Sequence, residues 1–190
     1  ANGEMVKQYS PKVAQAQTIS VAAAGSTGDG MTMALEAGAV PFENFFTSIC
    51  ATTVDPRLAS QVEEAAKLTT NKQLGVNAKG ERFASESAVY YDALGSDMIQ
   101  DGNAPFYYIY DSSDADTAAI LEKGAAAGAV VKADTIEALA EGMKVDAAAL
   151  KASFDRYNQQ AEAGKDEDFG KSPENLVVLD QAPYYAVIFY

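Results

Sequence analysis

The chain has 190 residues, of which 48% are hydrophobic, enough for one sizeable domain with a core of its own. With 27 acidic against 14 basic residues, the formal net charge of -13 repels phosphate backbones and anionic membrane surfaces and argues against nucleic acid as a partner. A single cysteine, Cys50, and the absence of histidine rule out an internal disulfide framework, zinc-type metal sites and Ser-His catalysis.

No run approaches the roughly 20 apolar residues of a membrane span, and the N-terminus lacks the basic-then-apolar pattern of a signal peptide. The chain as given therefore reads as soluble, without insertion into a membrane. Met5, Val6 and Tyr9 predict a short helix that Pro11 breaks, with a loop beyond it. Gly25-Ser26-Thr27-Gly28-Asp29-Gly30 then reads as a glycine-rich loop opening a helix that carries Met31, Ala34 and Leu35. An aromatic cluster of Phe42, Phe45 and Phe46 and a β-leaning Thr52-Thr53-Val54 precede a predicted helix over 58–68.

Residues 74–77 and the segment Glu81-Arg82-Phe83, joined by Ala78-Lys79-Gly80, predict a hairpin of two short strands. A helix over 90–99 and a turn over 102–105 lead to a buried strand over 106–110 that Asp111 ends. Helices are expected over 116–124 and 135–142, the latter capped by Asp134 or Thr135, with a short strand at Val130-Val131 between them. The clearest helix spans 146–163 and places Leu150, Phe154 and Tyr157 on one face. Residues 164–172 are charged and glycine-bracketed, a loop, and 183–190 form an apolar, strand-like end. Such an end is unusual for a terminus and suggests a chain that once continued. Helices alternating with short strands in this order indicate an α+β or mixed α/β architecture.

Three features could carry chemistry, each with a plain alternative. The Gly28-Asp29-Gly30 loop could hold an anion at a helix N-terminus, or be a turn and cap. No Gly-x-Gly-x-x-Gly follows a strand, so the chain cannot build a complete dinucleotide site alone. The tyrosines at 90–91, 107–110 and 184–185 could line a pocket or fill the core, and Cys50 reads as a small buried apolar residue rather than a nucleophile.

The order of motifs resembles the flavoprotein family of fumarate reductase, flavocytochrome fumarate reductase, urocanate reductase and 3-ketosteroid dehydrogenase. The resemblance runs from the glycine-rich loop with Met33-Ala34 and Ala37-Gly38-Ala39, through Val76-Asn77-Ala78-Lys79-Gly80-Glu81-Arg82-Phe83 with Glu86, to Tyr108-Ile109-Tyr110-Asp111. It continues in Lys132-Ala133-Asp134-Thr135-Ile136-Glu137-Ala138-Leu139-Ala140, Arg156-Tyr157-Asn158, Ala163-Gly164-Lys165-Asp166, Asp168-Phe169-Gly170 and Ala182-Pro183-Tyr184-Tyr185-Ala186. In that family a capping domain interrupts an FAD-binding domain and closes over the flavin. The resemblance implies an α+β capping domain over 46–180, with 1–45 and 181–190 as stubs adjoining the FAD-binding domain.

It implies hydride transfer from flavin N5 to an activated C=C bond of a small organic acid or similar acceptor, with a proton donor on the opposite face. The fumarate-type donor arginine, four residues after the motif glutamate, is matched here by Tyr90, as in urocanate reductase, and a substrate histidine is matched by Cys50. The family's Glu and Arg relay falls near Glu64 and Lys67. Thr27, Gly28, Asp29 and Gly30 approach the flavin on this reading, and Arg82 with Glu86 supports the cap. The plain alternative for the last pair is a surface ion pair at helical spacing.

FAD then belongs to the intact parent, whose separate FAD-binding domain is the main partner, with a heme or FMN electron-donor domain as a further one, and the fragment alone binds no cofactor and is inactive. Export of the parent to the periplasm or cell surface is what the family suggests. A free-standing binding module for a small ligand, and a desaturating dehydrogenase of the ketosteroid type, are the alternatives.

Overall fold

The computed structural model describes residues 3–15, 23, 25–40, 72–87, 103 and 106–189. The aromatic cluster at 42–46, the helices expected over 58–68 and 90–99, and Cys50, Glu64, Lys67 and Tyr90 lie outside the described residues.

Helix α1 spans Gly3–Tyr9 and α2 spans Pro11–Gln15. Pro11 ends the first helix as expected but opens a second instead of a loop, because the first helical position needs no N–H and suits the fixed proline φ. The glycine-rich loop opens α3, Asp29–Glu36, as predicted, and this helix buries none of its residues.

Four strands, β1 (Leu74–Asn77), β2 (Phe106–Tyr110), β3 (Val131–Ala133) and β4 (Tyr184–Phe189), form one antiparallel sheet in the order β1-β2-β4-β3. The pleat sorts the side chains of its two interior strands. Phe106, Tyr108 and Tyr110, with Tyr185, Val187 and Phe189, pack beneath α4 (Ala115–Ala126) through Ile120 and Leu121. Ile109 and Ala186, with Leu74 and Val76 of β1, face α5 (Ile136–Met143) and α6 (Ala147–Glu162), which contribute Leu139, Met143, Leu150, Phe154 and Tyr157. The described core is thus an α+β unit, a sheet between one helix and a helix pair.

Asp114, Thr135 and Asp146 cap the three helices by accepting from the amides of Thr117, Ala138 and Ala149, which settles the choice between Asp134 and Thr135. The apolar end of the chain is built into this sheet. Residues 184–189 are an interior strand paired on both sides, and Ala186, Val187 and Phe189 are buried. A strand covered on both faces reads as a continuous apolar run, so its composition suits its place in this sheet.

The expected hairpin survives as one strand and a single bridge, Val76 to Arg82. Asn77 takes over the turn, its side-chain oxygen accepting from the amides of Lys79 at 2.9 Å and Glu81 at 3.1 Å. The turn sits on the start of α6, where Ser153 Oγ donates to the Gly80 carbonyl at 2.8 Å. Gly80 has φ +84°, and a Cβ there would lie 2.9 Å from the Leu150 backbone nitrogen. Gly80→Ala is therefore expected to cost about 2–4 kcal/mol of unfolding free energy, from left-handed strain plus overpacking against backbone. Urea denaturation followed by circular dichroism checks this; an unchanged midpoint would show that the turn is free to leave α6.

Candidate functional site

The described residues converge on a buried cluster of charge where the turn after β1, helix α6 and the loop 163–172 meet. The loop is bracketed by Gly164 and Gly170, each at φ +69°. Between them the Asp166 carboxylate accepts from the amides of Asp168, Phe169 and Lys171 at 3.1, 3.2 and 2.9 Å, which winds the loop about its own acidic side chain. That winding turns Lys171 inward.

Arg82 stands at the centre. Its Nε and Nη2 donate to the two Glu86 oxygens at 2.9 Å each, and its Nη1 and Nη2 donate to the two Asp166 oxygens at 3.0 and 2.7 Å. Both edges of the guanidinium are occupied by carboxylates, the arrangement to which its planar fork is best suited. Its faces are covered by the rings of Tyr157 and Phe169, with centroids 5.2 and 5.0 Å away. Lys171 adds the second cation: its Nζ donates to the Gln73 carbonyl at 2.6 Å and to Tyr157 Oη at 3.1 Å, and lies 3.3 Å from Glu86 Oε2. Glu86 Oε1 also accepts from the Gly75 amide at 2.9 Å. No side chain of the four is more than 6% exposed.

Two cations and two anions cancel, which is what makes so much charge tolerable out of water. Burial lowers the tendency of Arg82 to hold its proton, but the hydrogen bonds to Glu86 and Asp166 outweigh it and the guanidinium stays charged. Burial opposes ionisation of Asp166, yet the Arg82 hydrogen bonds and the loop amides dominate and bring its pKa down to about 2. Lys171 is lowered to about 8, because burial outweighs the attraction of Glu86. Burial likewise pushes the Tyr157 phenol up.

Arg82 and Glu86, which the sequence offers as cap support or as a surface pair at helical spacing, are not on a helix and not at the surface. Arg82 sits in the bridge to Val76 and Glu86 in the turn that follows, so their separation of four is not a helical one. The sequence marks 164–172 as a charged, glycine-bracketed loop but does not single out Asp166 and Lys171 as their partners. The visible signal was the pair of glycines enclosing Asp166, since a loop that needs two left-handed residues is wound about something.

Thr27, Gly28, Asp29 and Gly30 run from a loop into the first turn of α3. Gly28 is left-handed at φ 87° and gives α3 no side-chain cap, while the first ladder bond runs from the Thr32 amide to the Gly28 carbonyl. The amides of Asp29, Gly30 and Met31 therefore have no partner within the helix, and a Cβ at Gly30 would meet nothing within 4 Å. Such an open, uncapped edge fits an electronegative part of a large cofactor such as FAD, but it is one contact and not a whole cradle.

A second concavity of about 200 Å³ opens at the end of β2, between Lys72, Tyr110, Asp111, Asp114, Thr117 and Leu179. Its carboxylates are committed to the fold. Asp111 accepts from Ser113 N and Oγ and from the amides of Asp180 and Gln181 at 2.6–3.1 Å, and Asp114 caps α4. Among the described residues there is no His, Cys, Asp and Glu cluster able to hold a metal ion, and no helix long and apolar enough to cross a membrane.

Against this geometry, comparison with known proteins identifies the class: residues 1–190 match the model of the FAD binding domain family, and the chain belongs to it. This is a family of flavoprotein oxidoreductases. A vinyl phenol reductase from Lactiplantibacillus plantarum is 32% identical over 198 residues, covering 88% of this chain and 40% of that protein. A urocanate reductase from Eggerthella lenta is 24% identical over 196 residues, covering all of this chain and 32% of that protein. The open conformation of a flavocytochrome c3 fumarate reductase superposes with a TM-score of 0.64 at 25% identity, over 99% of this chain and 32% of that one. The chain thus spans about a third to two-fifths of the length of these relatives.

Arg82→Leu leaves two buried carboxylates with one cation, and is expected to cost about 3–5 kcal/mol of unfolding free energy. Lys151→Ala breaks an exposed pair with Asp155 at 2.7 Å and is expected to leave the urea midpoint nearly unchanged. Paired urea titrations separate the two, and similar losses would mean that Arg82 is not desolvated in solution.

Acid unfolding tests Asp166. A carboxyl held at about 2 when folded, against an ordinary 3.8, stabilises the fold fully above pH 3.8 and loses that contribution as the pH falls through 2. In Asp166→Asn that part of the acid limb should flatten, with lower stability at neutral pH. A variant with an unaltered acid limb would contradict the Arg82 pairing.

Proposed function

We propose that this chain is the substrate-capping region of an FAD-dependent oxidoreductase that reduces an activated C=C bond, and that it works joined to a separate FAD-binding region of the same protein. The observation that carries the reading is the rigid, charge-neutral cluster around Arg82, which secures Glu86 four residues ahead of Tyr90. Vinyl phenol, urocanate and fumarate, the compounds in the names of the similar proteins, all contain a C=C bond conjugated to a ring or carboxylate.

FAD, when bound, supplies the hydride for such a reduction. The residues of this chain have other tasks. Thr27, Gly28, Asp29 and Gly30 offer backbone amides to the cofactor's edge. Tyr90 donates its phenol proton to the neighbouring carbon of the double bond, from the face opposite the flavin, and the phenolate regains a proton from solvent. Cys50, Glu64 and Lys67 line the substrate side on this reading. Arg82 and Glu86 support the segment that carries Tyr90. A small organic acid or similar acceptor is the substrate class, and a heme or FMN domain is the electron-donor partner, with the whole protein exported. The chain without its FAD-binding region is expected to be inactive.

The test is to purify the full-length flavoprotein and this chain side by side and record their visible spectra. A flavin spectrum in the full-length protein, bleached by dithionite and restored by an added enoate such as urocanate or fumarate, supports the assignment. Tyr90→Phe in that protein is expected to lower kcat by about 10²-fold or more, within the range of a lost general acid. A colourless full-length protein, or a Tyr90→Phe variant with undiminished turnover, overturns it.

A further inference from the structure

We propose that residues 84–87 and the loop 164–171 are the two halves of a clasp that opens and closes as one unit while the sheet stays folded. The clasp goes beyond the reaction proposed above and does not depend on it.

Both halves are short of apolar anchors. Phe83 packs edge-on against Phe106 at 5.7 Å, but beyond it Ala84, Ser85, Glu86 and Ser87 include no large apolar side chain. The loop has one, Phe169, which is 39% exposed and lies over one face of the Arg82 guanidinium. Gly164 and Gly170 are both left-handed, and a Cβ at either would meet nothing within 4 Å, so neither end of the loop is wedged against the core. The loop has a second tether, Asp168, which accepts from Arg156 at 2.9 and 3.1 Å and from Gln160 at 2.6 Å, but the Arg156 pair is largely exposed and contributes little.

What closes the clasp is charge. The backbone of Arg82 is pinned to the frame, since its amide donates to Ser153 Oγ of α6 at 3.3 Å and the residue bridges to Val76 of β1. From that fixed point its side chain holds Glu86 on one edge and Asp166 on the other, and Lys171 lies 3.3 Å from Glu86 Oε2. Lifting either half strips a partner from a charge that is still out of water, which is strongly destabilising. The half-open state is therefore the least favourable of the three, and opening is cooperative.

Each half also carries its own reporter. Glu86 accepts from the Gly75 amide at 2.9 Å, and Asp166 accepts from the amides of Asp168, Phe169 and Lys171 at 2.9–3.2 Å. The pairing of β2 with β4 involves none of these groups, so the sheet survives the opening.

The test is amide hydrogen exchange of the full-length protein, read residue by residue by mass spectrometry with electron-transfer fragmentation, for the unaltered protein, Glu86→Gln and Asp166→Asn. Each variant is read in the half to which it does not belong. Glu86→Gln is expected to speed exchange of the Asp168, Phe169 and Lys171 amides about tenfold or more, the size of a lost hydrogen bond to a charged group. Asp166→Asn is expected to speed exchange of the Gly75 amide by a similar factor, while the β2 and β4 amides keep their protection in both variants.

If Glu86→Gln frees the Gly75 amide but leaves the loop amides within about twofold, or Asp166→Asn frees the loop but leaves Gly75 so, the halves move separately and the clasp is overturned. Acceleration of β2 and β4 in step with the loop overturns it as well, since the opening is then global unfolding. Should the variants not fold, the unaltered protein in low urea decides. One opening constant and one urea dependence shared by the four amides support the clasp, and constants that differ by more than about tenfold overturn it.

Discussion

A guanidinium taken out of water between two carboxylates constrains everything around it. Arg82 has five N–H donors in one plane, and at two-sided occupancy none of its edges can be left to solvent. The partners must also be fixed, since a loose carboxylate in a dry site is an unpaired charge. That requirement reaches outward. Glu86 needs the Gly75 amide, so β1 must be an edge strand whose outer side is left to the turn; Asp166 needs three loop amides, so residues 164–170 must wind tightly; and Lys171 needs the Gln73 carbonyl and Tyr157.

The sheet and helices supply the rigidity that this demands. The interior strands β2 and β4 are aromatic and β-branched, covered by α4 on one face and by α5 and α6 on the other, and their rings interlock, as in the Phe106–Tyr108 edge contact at 5.0 Å. Helix α6 links this frame to the charged cluster. Leu150 and Phe154 lie in the core, Ser153 holds the turn, and Tyr157 is shared by both, packed in the core while its ring and hydroxyl face Arg82 and Lys171. Asn158 ties the next stretch of chain, exchanging two 2.9 Å hydrogen bonds with the backbone of Leu179.

What was legible in the sequence follows from which forces are local. Helix α6 is announced by its 3.6-residue periodicity, β2 by its aromatic run, and the turn after Asn77 by Ala78-Lys79-Gly80. The strand order was not legible, because it depends on pairings between Leu74 and Ile109, or Ala186 and Val131, far apart in the chain. The charged cluster was half legible. Arg82 and Glu86 stood out by motif, but their spacing suggested a helix surface where a turn actually places them. Asp166 and Lys171 were hidden among the charges of a loop, since composition alone cannot distinguish a solvated charge from one that is buried and paired. Periodicity, likewise, did not show that residues 184–189 form an interior strand.

Why the fold keeps four charges here and not an apolar plug is a question of precision. Buried ion pairs add little net stability over well-packed hydrophobic residues, and their removal as a set is often neutral. Their advantage is directional: an apolar contact accepts many rotations, whereas the Arg82 fork accepts one arrangement of Glu86 and Asp166. The segments joined by the cluster are the ones with the fewest apolar anchors, a turn with Phe83 and a loop with the partly exposed Phe169. Substitutions within the sheet should therefore alter how firmly the unit is folded, whereas substitutions in the cluster should alter where its turn and loop are held. The neutral charge cluster is the part of the described fold built for that directional placement.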